Sequence, residues 1–163
     1  YGGNIELRAV FSSQFSLQGG VTLQRSQYKN LEQWSDNPDV PATKNMFRTP
    51  DAYGYFTLNY NPIKPLTLGL TGSFTGPMWM QHFEGSGTDI DVAERTKSFA
   101  DIGFKAAYDF KLFDFATLQL NAGMHNIFNS FQTDFDKGEL RDSGYMYGPM
   151  LPRSVYVGLK LSL

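Results

Sequence analysis

The residues best able to do chemistry fall into two clusters. Met78, Trp79, Met80, Gln81, His82 and Phe83 run consecutively, at the outer end of the fourth strand expected from the sequence. Soft thioethers beside aromatic rings suit a haem or corrin face. Trp79, Gln81 and His82, with Tyr145 from a later loop, are therefore candidate ligand contacts at the mouth of a binding site. The competing use of such a run is an aromatic belt at a membrane interface, with Met78 and Met80 in lipid, and belts are the commoner use of aromatics at strand ends. The second cluster is Asp134, Asp136, Glu139 and Asp142, spaced oxygen donors of the kind calcium takes. Gly138 lies among them, but the EF-hand order is missing. A solvated acidic loop balanced by Lys137 and Arg141 accounts for the same residues more simply. His125 stands apart and reads as a hydrogen-bonded polar residue. Neither histidine has zinc-ligand or nucleophile spacing, and no glycine-rich phosphate loop follows a strand, so the sequence makes no case for an enzyme. No cofactor is required; the loop calcium is the one candidate.

Composition narrows what could position these groups. The chain has 163 residues and a formal net charge of −2, which gives no electrostatic basis for binding nucleic acid. It has no cysteine, so disulfides and thiolate metal sites are excluded. Aromatics are abundant, with 14 Phe, 9 Tyr and 2 Trp. No run approaches the roughly 18 apolar residues of a membrane helix. A membrane-spanning barrel alternates and escapes that test.

Alternation is the dominant pattern. At the C-terminus Val155, Val157, Leu159, Leu161 and Leu163 alternate with Ser154, Tyr156, Gly158, Lys160 and Ser162, the period of a strand with unlike faces. Six earlier stretches repeat it, around Ile5–Phe11, Phe15–Leu23, Ala52–Tyr60, Leu66–Thr75, Ile102–Phe110 and Leu118–Met124. Short turns are expected at 12–14, 61–65 and 111–114, and irregular polar loops at about 27–50, 82–97 and 129–152. The expected fold is all-β: seven antiparallel strands with connections alternating short and long.

The polar faces carry Thr, Ser, Asn, Gln and Gly with few charges, which suits a crowded polar lumen better than a solvated exterior. Phe11, Phe15, Tyr60, Phe110, Phe113 and Phe115 all lie beside the short turns, as an interfacial aromatic girdle would. Short turns at one end and long loops at the other are the outer-membrane pattern. The apolar faces are therefore assigned to lipid. The lumen charges Glu6, Arg8, Asp101, Lys105, Asp109 and Lys160 are expected in cross-strand pairs or in contact with a plug. Seven strands cannot close a bacterial single-chain barrel, and an open edge in hydrocarbon is costly. The chain is expected to be part of a larger barrel. The alternative is a soluble lipocalin-like β-barrel that binds an apolar ligand.

Four stretches resemble a known family. Asn4-Ile5-Glu6-Leu7-Arg8 through Phe15-Ser16-Leu17 to Val21-Thr22, Gly72-Ser73-Phe74-Thr75-Gly76-Pro77-Met78, Asn121-Ala122-Gly123-Met124-His125-Asn126-Ile127-Phe128-Asn129, and Gly148 through Met150, Pro152-Arg153 to Leu159 are similar to late-barrel motifs of TonB-dependent outer-membrane receptors, of the kind common in Bacteroidetes. The resemblance spans nearly the whole chain. It departs from the family's usual terminal Phe, having Leu163, and Val21 stands where a Tyr is usual. It implies that residues 1–163 form the C-terminal part of a large transmembrane β-barrel, with short periplasmic turns and long extracellular loops. The N-terminal plug and earlier strands would lie outside this sequence. It further implies TonB-energised uptake of a bulky scarce ligand across the outer membrane of a Gram-negative bacterium. That ligand is an iron chelate, haem or cobalamin, or a glycan or peptide in a sibling branch. Implied partners are outer-membrane lipid, the rest of the barrel and its plug, TonB, and a surface lipoprotein; nucleic acid is not among them.

Overall fold

A computed structural model describes residues 1–149 and 151–163; Met150, which the terminal-strand motif includes, lies outside the described residues. The strands are β1 (Gly2–Val10), β2 (Phe15–Gln24), β3 (Gln27–Glu32), β4 (Thr43–Asn45), β5 (Ala52–Ile63), β6 (Leu66–Thr75), β7 (Trp79–His82), β8 (Val92–Arg95), β9 (Phe99–Phe113), β10 (Ala116–His125) and β11 (Ser154–Ser162). Seven of them form one antiparallel sheet in the order β1-β2-β5-β6-β9-β10-β11. These are the seven stretches with a period of two. The strand around Leu120 is the neighbour of the last strand, with Leu120 opposite Leu159.

β1 and β11 stand at opposite edges of the sheet, so no closed lipocalin-like barrel forms. The apolar face has no second layer upon it. Val155, Val157, Leu159 and Leu161 are all exposed, Val157 at 71%. Ile5, Leu7, Leu23, Phe74, Phe104 and Leu120 on the same face of other strands are exposed too. At the turn end Phe11 packs on Phe15, Phe15 on Tyr60, and Phe113 stacks on Phe115 at 5.5 Å. The aromatics at that level thus pack in two groups, one of Phe11, Phe15 and Tyr60 and one of Phe113 and Phe115.

Several expectations need correction. The segments read as irregular loops contain two extra hairpins, β3–β4 and β7–β8. β3 (Gln-Tyr-Lys-Asn-Leu-Glu) is exposed throughout and has no apolar face, so it leaves no period-two signal. Met78–Phe83 does not extend the fourth strand: Gly76, Pro77 and Met78 break it, and Trp79–His82 forms a separate strand. Met80 is therefore wholly buried and not in lipid. The tight turns are also narrower than their sequences suggest. They centre on Lys64-Pro65 and Asp114-Phe115, with Asn61 to Ile63 and Lys111 to Phe113 inside strands. Pro62 is accommodated where the β5–β6 register shifts between Tyr60 and Ile63, a place where a ladder tolerates a missing donor.

The lumen charges do not pair with one another. Register sets Glu6 opposite Gly20, Arg8 opposite Gln18, Lys105 opposite Gly69 and Gly123, and Lys160 opposite Gln119. Asp101 faces Ser73, and Asp109 accepts from the Gln119 amide at 2.8 Å. Among the described residues none of these charges lies in an ion pair. Two glycines on this face are covered by tyrosines. A Cβ on Gly123 would strike the Tyr156 ring and come within 2.6 Å of the Phe104 carbonyl, and one on Gly20 would meet Tyr55 at 2.9 Å.

The face assignment is directly testable. In the complete barrel, Leu120→Arg at mid-span should cost ~2–4 kcal/mol, while Asn121→Arg, on the opposite face, should be nearly neutral. Denaturant titration of the barrel folded in a bilayer measures both; equal costs would refute the assignment.

Candidate functional site

The buried side chains of this protein concentrate in its long loops. Val40, Met80, Tyr145 and Asn126 are each no more than 2% exposed, and Ser35, His82, Gln132 and Asp136 are buried with them. Three long connections at one end of the sheet fold into a single cap, and the candidate site residues lie in it.

The β7–β8 hairpin supplies one wall. Pairing sets Trp79 opposite Arg95, Met80 opposite Glu94, and His82 opposite Val92. Met80 and His82 point into the cap, and Trp79 and Gln81 point the other way and are half-buried. Glu94 is a diagonal cross-strand neighbour of His82 on the inner face.

The connection from β10 to β11 supplies the other wall. Its first turn is pinned by Asn126, at φ 48°, whose side chain accepts from Ser130 N at 2.7 Å and donates to the Ser130 and Leu151 carbonyls at 2.9 Å. Asn129, at φ 51°, accepts from Arg153 N at 3.0 Å. Asparagine tolerates the left-handed region and bonds its local backbone, so the Asn-Ile-Phe-Asn stretch is a turn device. Further along, Gln132 donates to the Tyr145 carbonyl at 3.2 Å and accepts from Tyr147 N at 3.0 Å, clasping the connection across its width.

The two walls meet at His82. Its ring stacks on Tyr145 with centroids 3.8 Å apart and planes within 2°. Nε2 lies 3.0 Å from Asp136 Oδ1. Nδ1 lies 3.4 Å from Glu94 Oε1 but off line, leaving it buried without a hydrogen bond. A ring protonated at both nitrogens faces a carboxylate on either side; one protonated at Nε2 alone leaves Nδ1 bare against Glu94. Tyr145 donates its hydroxyl to Glu94 at 2.6 Å, and Tyr147 donates to Asp134 at 2.6 Å. Burial, and then the carboxylate that accepts each bond, push both phenols far above their ordinary range, so both remain donors. Asp136 Oδ2 accepts from Asp142 N at 2.9 Å. That bond, helped by His82, holds the Asp136 carboxyl below the usual range against the opposing effect of burial.

The first long connection joins the same cap. The Ser35 hydroxyl donates to Asp91 at 2.5 Å, which also accepts from Glu84 N. The serine bond, with the backbone bond second, holds Asp91 below the ordinary carboxylate range. Trp34 packs on Phe47 and Phe83, and Arg48 reaches the Gly144 carbonyl at 2.6 Å.

The four proposed mouth residues therefore separate. His82 and Tyr145 come together as the centre of the cap, closed to solvent. Trp79 and Gln81 lie on the hairpin's other side, where the Arg95 guanidinium sits 5.6 Å from the Trp79 ring centroid. The acidic cluster is not gathered. Asp134 holds Tyr147, Asp136 holds His82 and Asp142 N, and Asp142 accepts from Phe83 N and Gly144 N. Glu139 is exposed, and among the described residues no three potential metal ligands converge. His125 stacks on Tyr156, with centroids 5.0 Å apart, on the lumen face. Glu94, Gln132 and Arg95 were not singled out in the sequence, and Asn126 entered only as part of a motif stretch. Only the β7–β8 pairing connects Glu94 to His82.

No family model matches the chain, and no curated protein does. Solved structures do. Over 99% of its length the chain superposes on a variant of the ferric enterobactin receptor PfeA of Pseudomonas aeruginosa, with a TM-score of 0.62 and 19% identity. It matches the ferric-catecholate import receptor Fiu of Escherichia coli K12 over 99% of its length, with a TM-score of 0.65 and 20% identity. The fold is that of an outer-membrane receptor barrel. The chain spans only 22% and 20% of those two receptors, so it corresponds to a segment of such a barrel.

The cap is held by His82, and its loss should be local. His82→Ala removes one of the hydrogen bonds to the buried Asp136 carboxylate and leaves it Asp142 N, and a hydrogen bond to a charged group is worth ~1.5–3 kcal/mol. Hydrogen exchange should accelerate at Phe83 and Asp142 N–H while the strands keep their protection. The pH response has a fixed sign. Asp136 is depressed, so its contribution is complete above about pH 4 and fades as pH falls through its lowered value. Protection of the Asp142 amide should fall on acidification, and Asp136→Asn should flatten that response.

Proposed function

We propose that this chain is the C-terminal barrel segment of a Gram-negative outer-membrane receptor, energised through TonB, that imports a ferric chelate. The observation that carries the reading is the whole-chain fold match to two receptors that bear the names of ferric enterobactin and ferric catecholate. Three features of the chain support it. The apolar sheet face is bare, as a lipid-facing wall requires. The long connections form a cap at one end, and the short turns carry the aromatic girdle at the other. The lumen charges Glu6, Arg8, Asp101, Lys105 and Lys160 have no partner of opposite charge within the sheet, which leaves them available to a plug inside the barrel.

Among the ligand classes that the sequence resemblance implies, a ferric chelate is favoured over haem or cobalamin. His82, the one imidazole in the Met-rich run, is sealed within the cap and offers no nitrogen to an incoming ring. A glycan importer is the sibling reading.

The test uses the full-length parent receptor, expressed in a host lacking its own ferric-chelate receptors. Cells should accumulate radiolabelled iron supplied as a ferric tris-catecholate, and collapse of the proton gradient should abolish accumulation. Oligosaccharide uptake without iron uptake would replace the ferric reading with its sibling.

A further inference from the structure

The β7–β8 hairpin and the β10–β11 connection meet along a seam of cross-links, and one member of that seam can change its charge. We propose that His82 is a proton-operated latch. With both ring nitrogens protonated it locks the hairpin onto the connection; on losing one proton it lets that seam of the cap loosen. The other ties are fixed: Phe83 N to Asp142 Oδ2 at 2.8 Å, Ser86 N to the Leu140 carbonyl at 2.9 Å, and Ser86 Oγ to the Lys137 carbonyl at 2.7 Å. Two glycines let the backbones close on each other. A Cβ on Gly85 would strike the Leu140 carbonyl, and one on Gly87 would strike the Asp136 carboxylate.

The ring faces two acceptors and, when neutral, has one proton to offer. Asp136 Oδ1 lies 3.0 Å from Nε2 and Glu94 Oε1 3.4 Å from Nδ1, and Nδ1 is buried with no hydrogen-bond partner among the described residues. With the proton on Nε2, Nδ1 turns a lone pair toward Glu94. With the proton on Nδ1, the bond across the seam to Asp136 is lost. A second proton answers both carboxylates and makes the Asp136 bond charge-assisted at each end. The Tyr145 stack holds the ring in its plane between them. The imidazole itself is closed to solvent, but the Glu94 side chain is 40% exposed, which gives the proton a way in.

The groups around the ring are acidic. Glu94 comes from β8, and Asp136 and the Tyr145 phenol come from the β10–β11 connection. Behind them stand Asp142 on Phe83 N, Asp134 on Tyr147 and Asp91 on Ser35, while Glu84 and Asp89 are exposed in the hairpin's own turn. The cations of the packed elements are turned elsewhere: Arg95 to Asp51 and the Trp79 ring, Arg48 and Arg141 to backbone carbonyls, Lys137 to the Phe135 ring. Histidine is the side chain whose charge ordinarily changes between about pH 5 and 8. Across that window Asp136 stays ionised and Tyr145 stays a donor, because their ranges lie below and above it. His125, the chain's other histidine, stacks on Tyr156 outside the seam. The sign follows: the cationic ring's contribution is complete on the acid side and is lost as pH rises through the window.

The latch rests on the geometry of the seam; that the seam faces the medium outside the cell rests on the receptor reading above. The test is hydrogen exchange on the full-length receptor in detergent at about pH 5.5 and about pH 8, corrected for the intrinsic pH dependence of amide exchange. Protection of the Phe83 and Ser86 amides should fall at least about tenfold at the higher pH, the scale of one charge-assisted hydrogen bond, while β9 and β10 stay unchanged. Glu94→Gln lets a neutral ring keep its Asp136 bond and accept at Nδ1 from the introduced amide, so the fall should shrink. His82→Gln has no titrating ring and should show no fall. Undiminished protection of β9 and β10 shows that each variant has folded, and the parent comparison decides even where one has not. Equal protection of the parent at both pH values overturns the latch, as does a full tenfold fall in folded His82→Gln. Either result leaves the iron-uptake test of the receptor reading as it was, and absent iron uptake leaves the exchange result standing.

Discussion

The sheet holds together through lateral backbone hydrogen bonds, because neither of its faces is packed against a second layer. The apolar rows of β11 and β1 are open, and the polar rows carry glycines and short side chains. A β-sandwich of similar strand count would draw its stability from an interior between two sheets. Here that interior is missing, so the backbone ladder and the surroundings of the apolar face must supply what a core usually does. In hydrocarbon the ladder gains importance, since an unpaired N–H or C=O has no water to turn to. β1 and β11 each leave one such row of groups available to a neighbour.

The cap obeys the opposite logic. Its polar groups are buried, and so each is answered: Asn126 by Ser130 and Leu151, Gln132 by Tyr145 and Tyr147, Asp136 by Asp142 and His82. The exception, His82 Nδ1, faces the carboxylate of Glu94 at poor geometry. Long connections held in this way behave as a preformed surface. A ligand meeting them is spared the cost of ordering the loops, and the shape it meets is set before it arrives.

The two halves differed in how well the sequence revealed them. All seven sheet strands announce themselves by alternation, because the sheet has one apolar and one polar face and each strand must serve both at every second residue. The β3–β4 hairpin has no such pressure. Gln27 to Glu32 is exposed on both faces, and nothing in its composition distinguishes a strand from a loop. The β7–β8 hairpin does alternate, through Met80 and His82, but its four residues run on from β6 and look like a continuation. The cap was least legible of all. His82, Glu94, Asp136 and Tyr145 come from three separate stretches, and only the folded chain sets an imidazole between two carboxylates. Asp136 and Asp142 were noticed as oxygen donors; what the sequence concealed was that backbone amides and His82 already occupy those oxygens.

The paired glycines and tyrosines of the polar face shape the interior in their own way. At Gly123 and Gly20 the wall is only backbone thick, and the rings of Tyr156 and Tyr55 occupy the space a side chain would have taken. The aromatic surface is thereby laid along the wall instead of across the bore. The Tyr156 ring is further held in place by His125, which stacks on it.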